Sequence, residues 1–204
     1  MSTRVLTLIA CTLLFAAGLF AGLQFAGREA ADQAATPELK VATYMPTGRP
    51  LQDFELTSAD GGSLRSADLA GDWTVVFMGF TNCGHVCPMT LFTVSEALKK
   101  LDSPPEVLFV SVDPGRDTPE QIAGYVAGFD PAFRGATGDK AQLDRLAESL
   151  GAPYFVSNSG GRYTVDHSGA LFLIDPAGRF RALLSPPHDA EIIAADLGAI
   201  LAAS

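Results

Sequence analysis

The chain has 204 residues, a formal net charge of −9, three cysteines and three histidines. That length allows one domain with a well-formed core and some sequence left over. Three cysteines are too few for a disulfide scaffold, the acidic balance argues against a nucleic-acid binder, and an apolar share of 48% excludes a disordered tail protein.

The mean hydropathy of +0.21 is high for so acidic a chain. The excess sits at the front, where Val5 to Ala26 (VLTLIACTLLFAAGLFAGLQFA) carries no charge. At about 1.5 Å of rise per residue this run is long enough to cross a hydrocarbon core of about 30 Å. Met1 and Arg4 place positive charge ahead of it and no basic cluster follows, so the positive-inside rule leaves the N-terminus in the cytoplasm. A cleaved signal peptide is the rival reading. Its apolar core would be only about 7–15 residues, with a small-residue cleavage site behind it. The length favours an uncleaved transmembrane anchor over residues 1–27. Cys11 then reads as a small apolar residue inside the span. The segment lacks the Arg-rich amphipathic character of a mitochondrial presequence, which points to a bacterial envelope. Residues 28–49 are Ala-rich and polar, broken by Pro37, Pro46 and Gly48, and read as a flexible tether. One domain is expected over residues 50–204.

Asp53 to Leu56 and Ser63 to Leu69 flank Gly61-Gly62, which predicts a small hairpin or a strand–turn–helix entrance. Trp73 to Phe80 (WTVVFMGF) is a continuous run of β formers, the pattern of a central strand buried on both faces. Met89 to Leu101 has apolar residues at helical spacing, and Glu106 to Val112 is a second buried strand, so the two strands should be parallel in a βαβ unit. Thr118, Pro119 and Gln121 form a capping box with proline at the first helical position. Asp139 and Gln142 open another helix, which Gly151 closes. Ala170 to Asp175 and Arg179 to Leu184 flank a Pro-Ala-Gly turn, and the last helix turns Ile192, Ile193, Leu197, Ile200 and Leu201 towards a core. This order of elements is thioredoxin-like: an α/β fold with a central mixed sheet flanked by helices. Ligands of such sheets sit beyond the carboxyl ends of the strands.

Directly after the first buried strand comes Phe80-Thr81-Asn82-Cys83-Gly84-His85-Val86-Cys87-Pro88. In a helix, a four-residue spacing puts both sulfurs on one face, and a helix N-terminus favours a thiolate. Such a pair can cycle between dithiol and disulfide or hold a soft metal. A structural disulfide is the plain alternative, although so short a loop would stabilise weakly. Tyr163 to Ser168 precedes the strand that begins at Ala170, in the loop that faces the cysteines in a thioredoxin-like sheet. Thioredoxins usually place a cis-proline there. This chain has no proline between Pro153 and Pro176, and has His167 instead. Two thiolates and an imidazole suit copper, with sulfur for Cu(I) and nitrogen added for Cu(II).

Three segments carry a family resemblance: FTNCGHVCPMTL at 80–91, SVDPGRDTP at 111–119 and YTVDHSGALFLIDPAGRF at 163–180. The chain resembles the Sco (SenC) family of membrane-anchored, thioredoxin-fold copper proteins. The resemblance implies a copper ion, Cu(I) or Cu(II), held by Cys83, Cys87 and His167. It implies a metallochaperone role in assembling the binuclear copper centre of cytochrome c oxidase, by delivering copper or by reducing the receiving cysteines. The implied partners are the copper-bearing oxidase subunit and, as a candidate donor, another periplasmic copper chaperone. The implied location is the bacterial inner membrane, single-pass, with the C-terminal domain in the periplasm. One departure stands out: the family loop usually reads Cys-Pro-Asp-x-Cys-Pro, and here Gly84-His85 replaces the Pro-Asp pair. His85 is read as exposed. Asp113 is assigned to the Asp113-Pro114 turn, with a place near the cysteine loop as the alternative, Arg116 and Asp117 are assigned to the turn before the Thr118 cap, and Asp166 is a candidate to orient His167. His188 reads as a surface or capping residue.

The competing enzyme reading makes Cys83 and Cys87 the redox pair of an envelope thiol–disulfide oxidoreductase. His167 discriminates, because simple thiol exchange does not need it. A peroxidase of the peroxiredoxin type ranks last, since Cys83 lacks the Pro-x-x-x-Thr-x-x-Cys lead-in.

Overall fold

The structure, a computed structural model, describes residues 37–159 and 162–203, with Gly18 alone ahead of them. The expected anchor at 1–27 (Gly18 apart), with Cys11 in it, and the expected tether up to residue 36 lie outside the described residues. Among the described residues no helix is long and apolar enough to cross a membrane.

Strands β1 (Ala42–Pro50), β2 (Glu55–Ser58) and β3 (Ser63–Arg65) open the domain, and a 3-10 turn follows at Ser66–Leu69. Then come β4 (Thr74–Gly79), α1 (Val86–Leu98), β5 (Glu106–Ser111), α2 (Pro119–Ala127), β6 (Arg134–Thr137) and α3 (Lys140–Leu150). The hairpin β7 (Tyr154–Ser159) and β8 (Arg162–His167), then β9 (Leu171–Ile174), β10 (Arg179–Leu184) and α4 (Ala190–Ala202), complete it. Eight strands form one sheet in the order β1-β10-β9-β4-β5-β6-β2-β3, and β7-β8 stand apart as a two-stranded ribbon. The β4, β5 and β6 strands run parallel, and every other pairing is antiparallel.

The β4 strand shows why its sequence is apolar beyond Thr74. All six of its residues are buried. Val75 and Phe77 point into a core shared with Leu91 and Val94 of α1, Ile122 of α2 and Ile193 and Leu197 of α4. Val76 and Met78 point to the opposite core, against Leu143 and Leu146 of α3 and Phe54 and Leu69 of the entrance. Each fully buried aliphatic or aromatic side chain contributes about 1.5–3 kcal/mol, so a strand covered on both faces gains from apolar residues at successive positions, here Val75 to Met78. The expected capping box forms: the Thr118 side chain accepts from the Gln121 N–H, and the Gln121 side chain accepts from the Thr118 N–H. Asp139 caps α3, and Gly151 ends it in the left-handed conformation at φ 66°.

Four regions differ from the sequence reading. Residues 42–50, expected to lie mostly in the tether, pair antiparallel with β10 as an edge strand, with an irregular register between Tyr44 and Arg49. Pro46 and Gly48, read as breakers, fit there because an edge strand tolerates a missing donor and an irregular register absorbs a bend. The short β6, whose middle is Gly135-Ala136, extends the parallel sheet. A Cβ on Gly135 would stand 2.3 Å from Ile122 Cγ2, so the close packing of α2 over β6 requires glycine there. Residues 154–167, of which Tyr163 onwards was expected as loop, form the β7-β8 hairpin, and α1 begins at Val86, three residues earlier than the apolar periodicity suggested.

Candidate metal centre

The β4 strand ends at Gly79, and the chain turns through Phe80 to Cys83, whose N–H donates to the Phe80 carbonyl at 3.3 Å. Helix α1 then starts without a side-chain cap from His85, its N-cap residue, and without an acidic residue in its first turn. Cys83 fills that role: its Sγ accepts from the Cys87 N–H at 3.4 Å. A sulfur placed at unsatisfied N–H groups sits where the helix most favours negative charge. Burial pushes the Cys83 thiol up, but the N–H groups of Cys87, His85 and Val86 and the Cys87 thiol together outweigh it and hold Cys83 below the ordinary thiol value. Cys87 is the opposite case. It is fully buried, and burial pushes its thiol far up, with the nearby Cys83 and Asp117 adding to the shift against a lowering from the Phe80 N–H. Both cysteines are free.

His167 ends β8 and meets the cysteines from across the sheet. Its Nε2 lies 3.3 Å from Cys87 Sγ, and its Nδ1 lies 2.9 Å from the Ser168 carbonyl oxygen. A carbonyl only accepts, so the proton is assigned to Nδ1 and the Nε2 lone pair faces the sulfurs. Phe77 and Phe80 meet the ring edge-to-face at 5.9 and 5.8 Å, which fixes its plane. The ligand atoms of Cys83, Cys87 and His167 all lie within 4.8 Å of one another.

Asp117 organises the loop from behind. It is 1% exposed, and it accepts from the Thr81 N–H at 2.8 Å, the Thr81 hydroxyl at 2.6 Å and the Ser111 hydroxyl at 2.5 Å. The sequence assigned it only to the turn before Thr118; a buried acid in an otherwise polar turn carries no periodic signal. Asp113, fully buried, accepts from the Tyr163 hydroxyl and from Arg116 Nε at 2.6 Å, and the Arg116 guanidinium lies 3.9 Å from the Tyr163 ring centre. This clasp ties the 113–116 turn to β8 and so to His167. Asp166 is exposed, and the imidazole is oriented by Ser168 instead. His85 is exposed and outside the cluster. His188 donates from Nε2 to the Gly169 carbonyl at 2.7 Å, bracing the turn after His167.

The split between the two thiols has a direct consequence. In reduced protein, iodoacetamide should label Cys83 and leave Cys87 unmodified. The Cys83 rate should reach half its maximum at a pH below that of a free thiol, about 8.5, and fall away as pH drops through the lowered value and the thiolate is protonated. Peptide mass spectrometry across a pH series reads both. Equal labelling of the two cysteines would contradict the split.

A helix N-terminus that carries a two-thiol, one-imidazole cluster at the carboxyl end of a parallel strand pair marks a thioredoxin-like protein with a built soft-metal or redox site. Over residues 44–202 the chain matches the family described as SCO1/SenC, and it belongs to that family. It is 37% identical over 114 residues to the mitochondrial SCO1 homolog of Homo sapiens, a match covering 52% of this chain and 38% of that one. Among solved structures, ScoI of Arabidopsis thaliana with copper bound superposes with a TM-score of 0.70 at 30% identity, covering 75% of this chain and 98% of that one. ScoI of Bradyrhizobium japonicum with copper bound gives 0.64 at 34% identity, covering 72% and 97%. The chain spans less than two thirds of the length of the curated relatives it matches.

Proposed function

We propose that this chain is a copper-binding assembly factor for cytochrome c oxidase, with copper as its cargo between Cys83, Cys87 and His167. The observation that carries the proposal is the convergence of two sulfurs and an imidazole nitrogen within 4.8 Å, with Cys83 half-exposed. The donor set fits copper: sulfur suits Cu(I), and the Nε2 lone pair, freed by the Nδ1–H bond to Ser168, adds the nitrogen that Cu(II) favours. Only the dithiol can bind, so the redox state of the pair gates loading. Cys83, at the surface, is the ligand that a partner's cysteine reaches first, and ligand exchange proceeds from there. The expected setting is the bacterial inner membrane, with the N-terminal segment as anchor and the domain in the periplasm. The copper-bearing oxidase subunit is the recipient, and another periplasmic copper chaperone is the candidate donor.

The thiol split favours a second reading, a thiol–disulfide oxidoreductase. The Cys83 thiolate would attack a partner disulfide and release one partner thiolate. Cys87, giving up its proton, would then attack the mixed disulfide at Cys83 and release the second, leaving Cys83–Cys87 oxidised and the partner reduced.

Anaerobic titration of the reduced full chain in detergent separates the two. One copper ion per chain is expected for both Cu(I) and Cu(II), and His167→Ala should weaken Cu(II) binding by at least about tenfold. An unchanged Cu(II) affinity removes His167 from the ligand set. A wild-type chain that takes up no copper but reduces a disulfide substrate with turnover establishes the oxidoreductase instead.

A further inference from the structure

Of the three histidines, His167 stands in the cysteine cluster and His85 is exposed outside it. The third, His188, has no part in the ligand set. It stands on the segment between β10, which ends at Leu184, and α4, which begins at Ala190. Leu184 pairs with Leu171, the first residue of β9, so this segment crosses the short turn, Ser168 to Ala170, that follows His167. Two contacts join segment and turn. His188 Nε2 lies 2.7 Å from the Gly169 carbonyl oxygen, and a Cβ built on Gly169 would stand 3.6 Å from Pro186 Cγ, an ordinary packing distance.

That turn decides which nitrogen His167 offers. Phe77 and Phe80 hold the plane of the ring, but an edge-to-face contact does not tell one ring nitrogen from the other. The Ser168 carbonyl does: at 2.9 Å it accepts from Nδ1–H and leaves the Nε2 lone pair towards Cys87. The next residue is Gly169, whose missing Cβ lets the Ser168–Gly169 peptide swivel against the Gly169–Ala170 peptide. The second of these peptides is held on both sides. Its carbonyl faces His188, and its N–H, that of Ala170, donates to Ser168 Oγ at 3.3 Å. A carbonyl only accepts, so His188 carries a proton on Nε2, and it donates from that atom as the neutral ring or as the imidazolium alike. We propose that His188 is a positioning residue of the copper site: by anchoring the Gly169 carbonyl it keeps the Ser168 carbonyl on His167 Nδ1, and so keeps the Nε2 lone pair free for the metal. The inference rests on the copper-binding reading above.

His188→Phe keeps a ring and removes the donor, whereas His188→Gln keeps an N–H donor. His188 is half-buried, so both variants are expected to fold. In the reduced, metal-free full chain in detergent, nitrogen NMR of labelled histidine reads the His167 tautomer directly. Wild type is expected to be almost wholly Nδ1–H, His188→Phe a mixture with the Nε2–H form, and His188→Gln close to wild type. Only the Nδ1–H form offers Nε2 to a metal, so apparent Cu(II) affinity falls in proportion to the rings left in that form. A loss of about tenfold is expected for His188→Phe, as for other groups that orient a metal-bound imidazole. Cu(I), held chiefly by sulfur, should lose no more than about twofold. A merely structural role predicts a lower melting temperature in both variants, with the His167 tautomer and the Cu(II) affinity unmoved, and that result would overturn the proposal. So would a His188→Gln chain as impaired as His188→Phe, since the donor would then not be what matters. Absent copper uptake by the wild-type chain counts against the copper-binding reading; an unmoved tautomer in metal-free His188→Phe counts against the His188 role alone.

Discussion

Asp117→Ala is expected to destabilise the domain by about 3–5 kcal/mol and to dismantle the cysteine loop. The carboxylate is 1% exposed and receives the Thr81 N–H, the Thr81 hydroxyl and the Ser111 hydroxyl, with Asn82 Nδ2 at 3.4 Å as a weaker fourth donor. Alanine leaves the buried Ser111 hydroxyl and the half-buried Thr81 donors without their acceptor. Bonds to a charged acceptor contribute about 1.5–3 kcal/mol each, and the sum falls short of additivity because the freed loop rearranges towards water. Asp117→Asn should fall between, since its carbonyl oxygen still accepts but its amide group confronts donors with donors. Thr81→Ala should cost least, because the Thr81 N–H keeps its partner. The ordering Ala, Asn, then Thr81→Ala by urea denaturation tests the account. Thr81 stands two residues before Cys83, so the loss should reach the site. Cys83 in Asp117→Ala should lose its preferential labelling, and copper affinity should drop by at least about tenfold. A stable Asp117→Ala protein with normal Cys83 reactivity would show that the loop is held by α1 and β4 alone.

The legible part of the molecule was the part governed by repetition and by local chemistry. The two buried strands, the capping box at Thr118 and the Asp139 and Gly151 ends of α3 each follow from residues within a few positions of one another. Cys83, Cys87 and His167 were legible as a group because the fold order places the end of β8 opposite the start of α1, and they meet within 4.8 Å. The asymmetry of the thiols was not. The helix N-terminus predicts that at least one sulfur ionises easily, but whether it is the one that caps the helix or the fully buried one depends on burial that only tertiary structure sets. Asp113 and Asp117 were read as turn residues for the same reason. Their partners, Tyr163 and Thr81, lie 50 and 36 positions away in the chain.

The clearest miss, β1, leads to the second large effect. Asp196 is the only acidic residue in the buried face of α4, 1% exposed in the most apolar of the helices α1 to α4. It accepts from the N–H groups of Lys40, Val41 and Ala42 at 2.7, 2.9 and 2.8 Å. One carboxylate thus fixes the entry of β1 before its first ladder pair with β10, Ala42 with Leu184, begins. The strand that read as tether is ordered by a residue more than 150 positions later, which local pattern cannot reveal. Asp196→Ala should therefore cost about 3–5 kcal/mol for three charge-assisted bonds and a buried void. The loss should be local before it is global, because an edge strand can peel without opening the rest of the sheet. Hydrogen exchange at the Lys40, Val41 and Ala42 amides should accelerate most and the β1–β10 amides next, while β4 and β5 stay protected until the whole domain unfolds. Asp196→Asn retains one acceptor oxygen and should give a smaller acceleration at the same amides. If exchange at 40–42 in Asp196→Ala matched the wild type, β1 would be held by its ladder with β10 and by the Arg181 bond to Tyr44, and the helix carboxylate would have no part in ordering it.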